Sequence, residues 1–247
     1  MLQKHPITKG VLLFLVLTSI TTCWAEERGE SEISIHNGDQ TEKVTYVYYI
    51  PSVKAENPFP VLVCTHGLNI DGKEFMGEKW TRFADENDFA ILGLGFTFIP
   101  EDWHLKRSYQ YPQAWSGKAL LEILKILAEK FPINPNELYL FGISAGSQFS
   151  IRFAQMMPQI CKAVAAHAAG GYDDPQEYLP THFLITVGEL DNAKEVPRLD
   201  FAKIFVDACK KQSIAVQLEI IPNIAHQQTE AQNEMSRQFF QKIRLAK

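Results

Sequence analysis

Apolar and polar positions along this chain follow two rhythms, and the switches between them outline a fold. Val44, Tyr46 and Tyr48 recur at every second position, a period of two that predicts a strand over residues 43–50. A shorter strand over 32–36 precedes it, and Asn37-Gly38 opens the turn between the two, a hairpin signal. Residues 26–31 are polar and read as loose chain. Residues 60–65 form a short unbroken apolar run, as in a strand covered on both faces. Helical and strand patterns then alternate: helix 75–86, strand 89–94, helix 116–130, strand 138–142, helix 148–157, strands 162–166 and 183–187, helix 197–211, strand 215–221 and helix 228–245. The clearest helix carries Leu120, Ile123, Leu124, Leu127 and Phe131 at spacings of three and four, and Pro132 stops it. This alternation predicts an α/β fold with a mostly parallel sheet, helices on both faces and an antiparallel hairpin at one edge.

The N-terminus reads as a leader rather than part of that fold. Lys4 and Lys9 make a short basic region, an apolar run covers residues 11–20, and Cys23-Trp24-Ala25 offers small residues around a cleavage point. This predicts a signal peptide over residues 1–25, a catalytic domain over 26–247, and export to a periplasmic or extracellular space. The run is too short for a mature membrane span. Thr21-Thr22-Cys23 leaves lipid anchoring at Cys23 as an alternative, with Thr22 departing from the usual small residue.

Composition narrows the class only slightly. The chain has 247 residues, 46% apolar and 21% charged, with a net charge of −5, which suits one α/β domain and disfavours nucleic acid as a partner. Beyond the leader, Cys64, Cys161 and Cys209 make an odd number, so at least one thiol is free. Cys64 lies in an apolar strand; a Cys161–Cys209 bridge stays open. The cysteines lack metal-ligand spacing, and neither metal nor organic cofactor is expected.

The chemistry is expected beyond the carboxyl ends of the strands, where ligands sit in such sheets. Those ends carry His66-Gly67, Phe96 to Pro100, Ser144, His167, Asp191 and His226. Gly142-Ile143-Ser144-Ala145-Gly146 has the form Gly-x-Ser-x-Gly between an apolar strand and a helix. There the glycines let strand and helix backbones close up while the serine stays exposed. A serine needs an imidazole to accept its proton and a carboxylate to orient that imidazole. His226 follows the last strand, and Asp191 follows the strand at 183–187. Glu189 is the nearest competitor for the acid, and Asp173 and Asp174 are more distant ones.

In the order Ser144, Asp191, His226 the chain resembles the α/β-hydrolase superfamily. His66-Gly67, Asn134-Pro135-Asn136-Glu137 and Gly188-x-x-Asp191 make it look most like small secreted esterases of the polyhydroxybutyrate depolymerase, feruloyl esterase and dienelactone hydrolase types. The resemblance implies an oxyanion hole formed by the backbone N–H groups of Leu68 and Ala145. His66 is expected to brace that loop beside the substrate, and His167 to line the site.

Residues 95–115 are long for a connection and rich in aromatics. Phe96, Phe98, Trp103, Tyr109, Tyr111 and Trp115 read equally as a substrate pocket or as a cover over the core. The loop between the strands at 162–166 and 183–187 is too modest for a large lid, which predicts an open site suited to a bulky or polymeric ester or a peptide end; the expected partner is a small-molecule or polymeric ester substrate. The leading expectation is a serine hydrolase acting on carboxylic esters through an acyl-enzyme. A peptidase or thioesterase with the same residues is one alternative, and a non-catalytic binding protein on the same fold is another.

Overall fold

A computed structural model describes residues 25–52, 57–68, 71–97, 101 and 105–246. The expected leader with Lys4, Lys9 and Cys23, and Phe98 and Trp103 of the aromatic segment, lie outside the described residues.

The chain opens with a hairpin of β1 (Glu27–Asn37) and β2 (Gln40–Ile50), followed by β3 (Phe59–Thr65), α1 (Glu78–Asn87) and β4 (Ala90–Phe96). Next come α2 (Ser116–Ala128), β5 (Ile133–Ile143), α3 (Ala145–Met156), β6 (Cys161–His167), β7 (His182–Gly188), α4 (Arg198–Lys211), β8 (Val216–Ile221) and α5 (Glu230–Leu245). The strands form one sheet in the order β1-β2-β4-β3-β5-β6-β7-β8. β1 pairs antiparallel with β2 and β2 antiparallel with β4, while β4, β3 and the remaining strands run parallel.

Period-two alternation divides the central strands between two cores. Along β5, Leu138 and Leu140 face one layer, and Tyr139, Phe141 and Ile143 face the other. The first layer takes Leu120 and Ile123 of α2, Phe149 and Phe153 of α3, and Phe205 of α4. The second takes Trp80 and Phe83 of α1 and Phe240 of α5. Each fully buried large apolar side chain contributes about 1.5–3 kcal/mol. With both faces covered, the strand ends are where loops and polar groups gather.

Residues 26–31 are not loose: β1 begins at Glu27, paired with Ile50 of β2. This edge stretch is mostly exposed, so backbone pairing holds it and no apolar alternation is required. Residues 75–86 are not one helix either. A 3-10 turn over Gly72–Met76, capped by the Asp71 side chain on the Lys73 N–H, gives way at an extended Gly77 to α1. Gly72, at the head of the 3-10 turn, packs so tightly on β4 that a Cβ would lie 2.5 Å from the Gly93 carbonyl carbon. The β6–β7 connection, residues 168–181, holds neither helix nor strand. Cys64, Cys161 and Cys209 are buried free thiols, so no Cys161–Cys209 bridge is present. Among the described residues no helix is long and apolar enough to cross a membrane.

Candidate active site

Ser144 sits between β5 and α3 with φ 51° and ψ −111°, a left-handed conformation that side-chain-bearing residues rarely adopt. The neighbouring glycines make the turn possible. A Cβ on Gly142 would lie 2.5 Å from the Gly146 carbonyl oxygen, and one on Gly146 would lie 2.2 Å from that of Thr65. Ser147 locks the turn from within: its Oγ lies 2.7 Å from the Gly142 carbonyl and 2.8 Å from that of His167. The Ser144 N–H donates to the His167 carbonyl at 2.7 Å. The strained serine is therefore fixed by backbone contacts on three sides.

His226 Nε2 is 3.2 Å from Ser144 Oγ, and His226 Nδ1 is 2.9 Å from Asp191 Oδ2. Asp191 is enclosed, its side chain 2% exposed, whereas His226 is 41% exposed at the cleft. A carboxylate on Nδ1 fixes the tautomer with Nδ1 protonated, which leaves Nε2 to accept a proton from the serine. The structure thus brings together the three residues picked out in the sequence. The competing acids are placed elsewhere. Glu189 Oε2 accepts the Asn223 N–H at 3.0 Å and braces the His226 loop, and Asp173 pairs with Arg152 at 2.9 Å.

These groups border a cleft of about 400 Å³ lined by Gly67, Leu68, Ile143, Ala168 and Gln228 together with Ser144 and His226. Leu68 lies on its wall, and Ala145 opens α3, where the first backbone N–H groups have no intrahelical acceptor. Gly67 brings the Leu68 loop against the serine: a Cβ there would lie 3.5 Å from Ser144 Cβ.

His66 lies behind this loop. Its Nε2 accepts the Phe96 N–H at 3.0 Å, so Nδ1 carries the proton and donates to the Gly67 carbonyl. Burial holds the imidazole below its ordinary value near 6.5, in the neutral form these bonds require. His66 ties the end of β4 to the Leu68 loop and is not part of the cleft lining.

His167 borders the cleft, but its ring is enclosed against α5. Ser236 Oγ donates to the Gln232 carbonyl, so His167 Nε2 donates to Ser236 Oγ at 2.9 Å and Nδ1 accepts from Thr186 Oγ. Gln232 Nε2 donates to Thr186 Oγ at 3.1 Å and closes the ring of bonds. Gln232 also completes the Thr229 capping box at the start of α5, just after His226. Burial pushes the His167 imidazole down to about 3.

Phe96, Tyr109 and Trp115 are packed into the core rather than onto the cleft wall. Tyr111 is half-buried, with the Arg152 guanidinium 4.1 Å from its ring centre. Sequence reasoning missed Arg198, the first residue of α4, whose Nη1 donates to Asp191 Oδ1 at 3.2 Å and whose side chain borders the cleft. Nothing local marks it, because an arginine at a helix start has no characteristic pattern.

A model of the Esterase family, described as "Putative esterase", matches residues 39–179. None of the curated proteins matches the chain. Among solved structures, an S-formylglutathione hydrolase from Agrobacterium tumefaciens superposes with a TM-score of 0.65 at 15% identity, covering 91% of this chain and 96% of that one. A CE1 ferulic acid esterase from the anaerobic fungus Anaeromyces mucronatus gives 0.64 at 16%, covering 89% and 90%. A dienelactone hydrolase-like promiscuous phosphotriesterase from metagenomic libraries gives 0.63 at 12%, covering 89% and 98%. At these identities the likeness is one of fold, and the fold is that of the α/β-hydrolases.

Proposed function

The chain belongs to the Esterase family, and on that premise we propose that it hydrolyses carboxylic esters with Ser144 as nucleophile, His226 as general base and Asp191 as the group that orients His226. The observation that carries this reading is the unbroken hydrogen-bonded run from Ser144 Oγ through His226 to buried Asp191, opening on a cleft.

The steps follow from that geometry. Ser144 Oγ attacks the ester carbonyl as His226 Nε2 takes its proton, and Asp191 stabilises the imidazolium that forms. Negative charge gathers on the former carbonyl oxygen, and the Leu68 and Ala145 N–H groups are assigned to hold it. The N-terminal end of α3 favours the same charge. As the tetrahedral adduct collapses, His226 gives its proton to the departing alcohol. Water then enters, loses a proton to His226, and releases the acid from Ser144 by the reverse path. Burial of Asp191 keeps its charge from being screened by water during both steps.

Export belongs to the same proposal. It rests on the basic, apolar and small-residue pattern of residues 1–25, and N-terminal sequencing of the mature protein should begin at Glu26.

The test is covalent labelling by a fluorophosphonate of wild type, Ser144→Ala and His226→Ala, beside turnover of 4-nitrophenyl esters, acyl thioesters and aminoacyl anilides. The expected result is labelling that is lost in both variants and turnover that is fastest on the oxygen esters. A folded wild-type protein that neither labels nor turns over any of the three would overturn the reading.

A further inference from the structure

Arg198 has no task in the acyl-transfer steps, yet it borders the same cleft as Ser144 and His226. Its Nη1 is engaged by Asp191 Oδ1 at 3.2 Å, and its side chain is 15% exposed. Its Nε is shielded from solvent and meets no acceptor among the described residues. A guanidinium presents five donors in a rigid planar fork that matches a carboxylate. Here Asp191 takes one arm and the Nε side of the fork is left unfilled, a costly state for a shielded donor.

The charges around the cleft point the same way. Among the described residues its lining contains no Asp, Glu or Lys. Asp191 lies just behind His226, and a lone buried carboxylate there would repel an anionic substrate through a medium that screens poorly. Arg198 offsets part of that charge, and its guanidinium, which borders the cleft, keeps donors that Asp191 does not take.

We propose that Arg198 makes this cleft a site for esters that carry a carboxylate, which it binds with the donors not committed to Asp191. The inference deepens the ester-hydrolase reading and rests on it.

Matched substrate pairs test it. 4-Nitrophenyl hemisuccinate and 4-nitrophenyl butyrate share a leaving group and differ at the acyl end. 4-Acetoxybenzoate and phenyl acetate place the carboxylate on the alcohol side. Each kcat/KM is divided by the rate with hydroxide. Wild type should favour the anionic member of at least one pair by about ten- to a hundredfold, mainly through KM. That ratio should collapse in Arg198→Gln and survive in part in Arg198→Lys. A wild-type ratio near one in both pairs, or an equal fall for both members of a pair in Arg198→Gln, would leave Arg198 as a support for Asp191 only and overturn the proposal. If no ester is turned over, the hydrolase reading fails on its own. Binding of monomethyl succinate to Ser144→Ala protein then decides: Arg198-dependent binding upholds the anion site, and no binding overturns it.

Discussion

Gly188 and Ile224 are in backbone contact: a Cβ on Gly188 would lie 2.2 Å from the Ile224 carbonyl oxygen. The same carbonyl accepts the Leu190 N–H at 2.8 Å, and the Glu189 N–H donates to Ile221 at 2.9 Å. The loop that carries Asp191 and the loop that carries His226 are therefore clamped main chain to main chain, beside the 2.9 Å Asp191–His226 bond.

Gly188→Ala should separate the two loops. The methyl group meets backbone rather than a yielding side-chain tip, so the variant should lose about 1–3 kcal/mol in urea unfolding. Ester turnover should fall by at least about tenfold, because small displacements of a general base are costly. Wild-type turnover in a folded Gly188→Ala protein would show that the contact does not set the Asp191–His226 geometry.

Ser144 stores strain that only its position justifies. Ser144→Gly removes the hydroxyl and relaxes a φ of 51°, so it should be inactive yet more stable than wild type by about 1 kcal/mol. Ser144→Ala should be equally inactive, with kcat reduced on the order of 10³-fold or more, and should gain no such stability. Paired denaturation curves and esterase assays check both.

His167 makes acid stability a property of the cleft floor. Its native value is lowered to about 3 from an ordinary value near 6.5, so below 6.5 the unfolded chain binds a proton that the native state refuses. Its contribution is complete above pH 6.5 and is lost progressively as pH falls towards 3. His66, lowered for the same reason of burial, adds to the loss below 6.5. Unfolding free energy should drop by a few kcal/mol between pH 7 and pH 4, and His167→Gln should show a shallower drop. Equal slopes for the two proteins would remove His167 from the account.

The cysteines give a chemical check on the core. Burial pushes the Cys209 thiol up to about 12 and raises Cys64 and Cys161 as well, so little thiolate is available at neutral pH. Native mature protein should react negligibly with a disulfide reagent, and protein unfolded in urea without reductant should titrate three thiols. A count of one in urea would indicate a bridge instead.

The order of elements was legible because each strand or helix writes its burial into its own residues. Leu120, Ile123, Leu124 and Leu127 declare one face of α2, and the alternation of β5 divides cleanly between the two cores. Where burial was absent the reading failed. The first part of β1 is held by backbone pairing to β2 with its side chains in solvent, so it looked like loose chain. The aromatic segment was ambiguous because burial and ligand contact favour the same residue types. The structure sends Phe96, Tyr109 and Trp115 into the core.

By itself the sequence determined the α/β layering and the strained turn at Ser144, since the close approach of β5 and α3 is written in adjacent glycines. Only the tertiary structure decided which carboxylate faces His226, where Arg198 reaches, and that His167 is sealed beneath the cleft. Those pairings join residues far apart in the chain, as Ser144 and His226 do. They depend on strand order and on loops meeting at the sheet's carboxyl edge, a relation among elements that no local pattern of residues encodes.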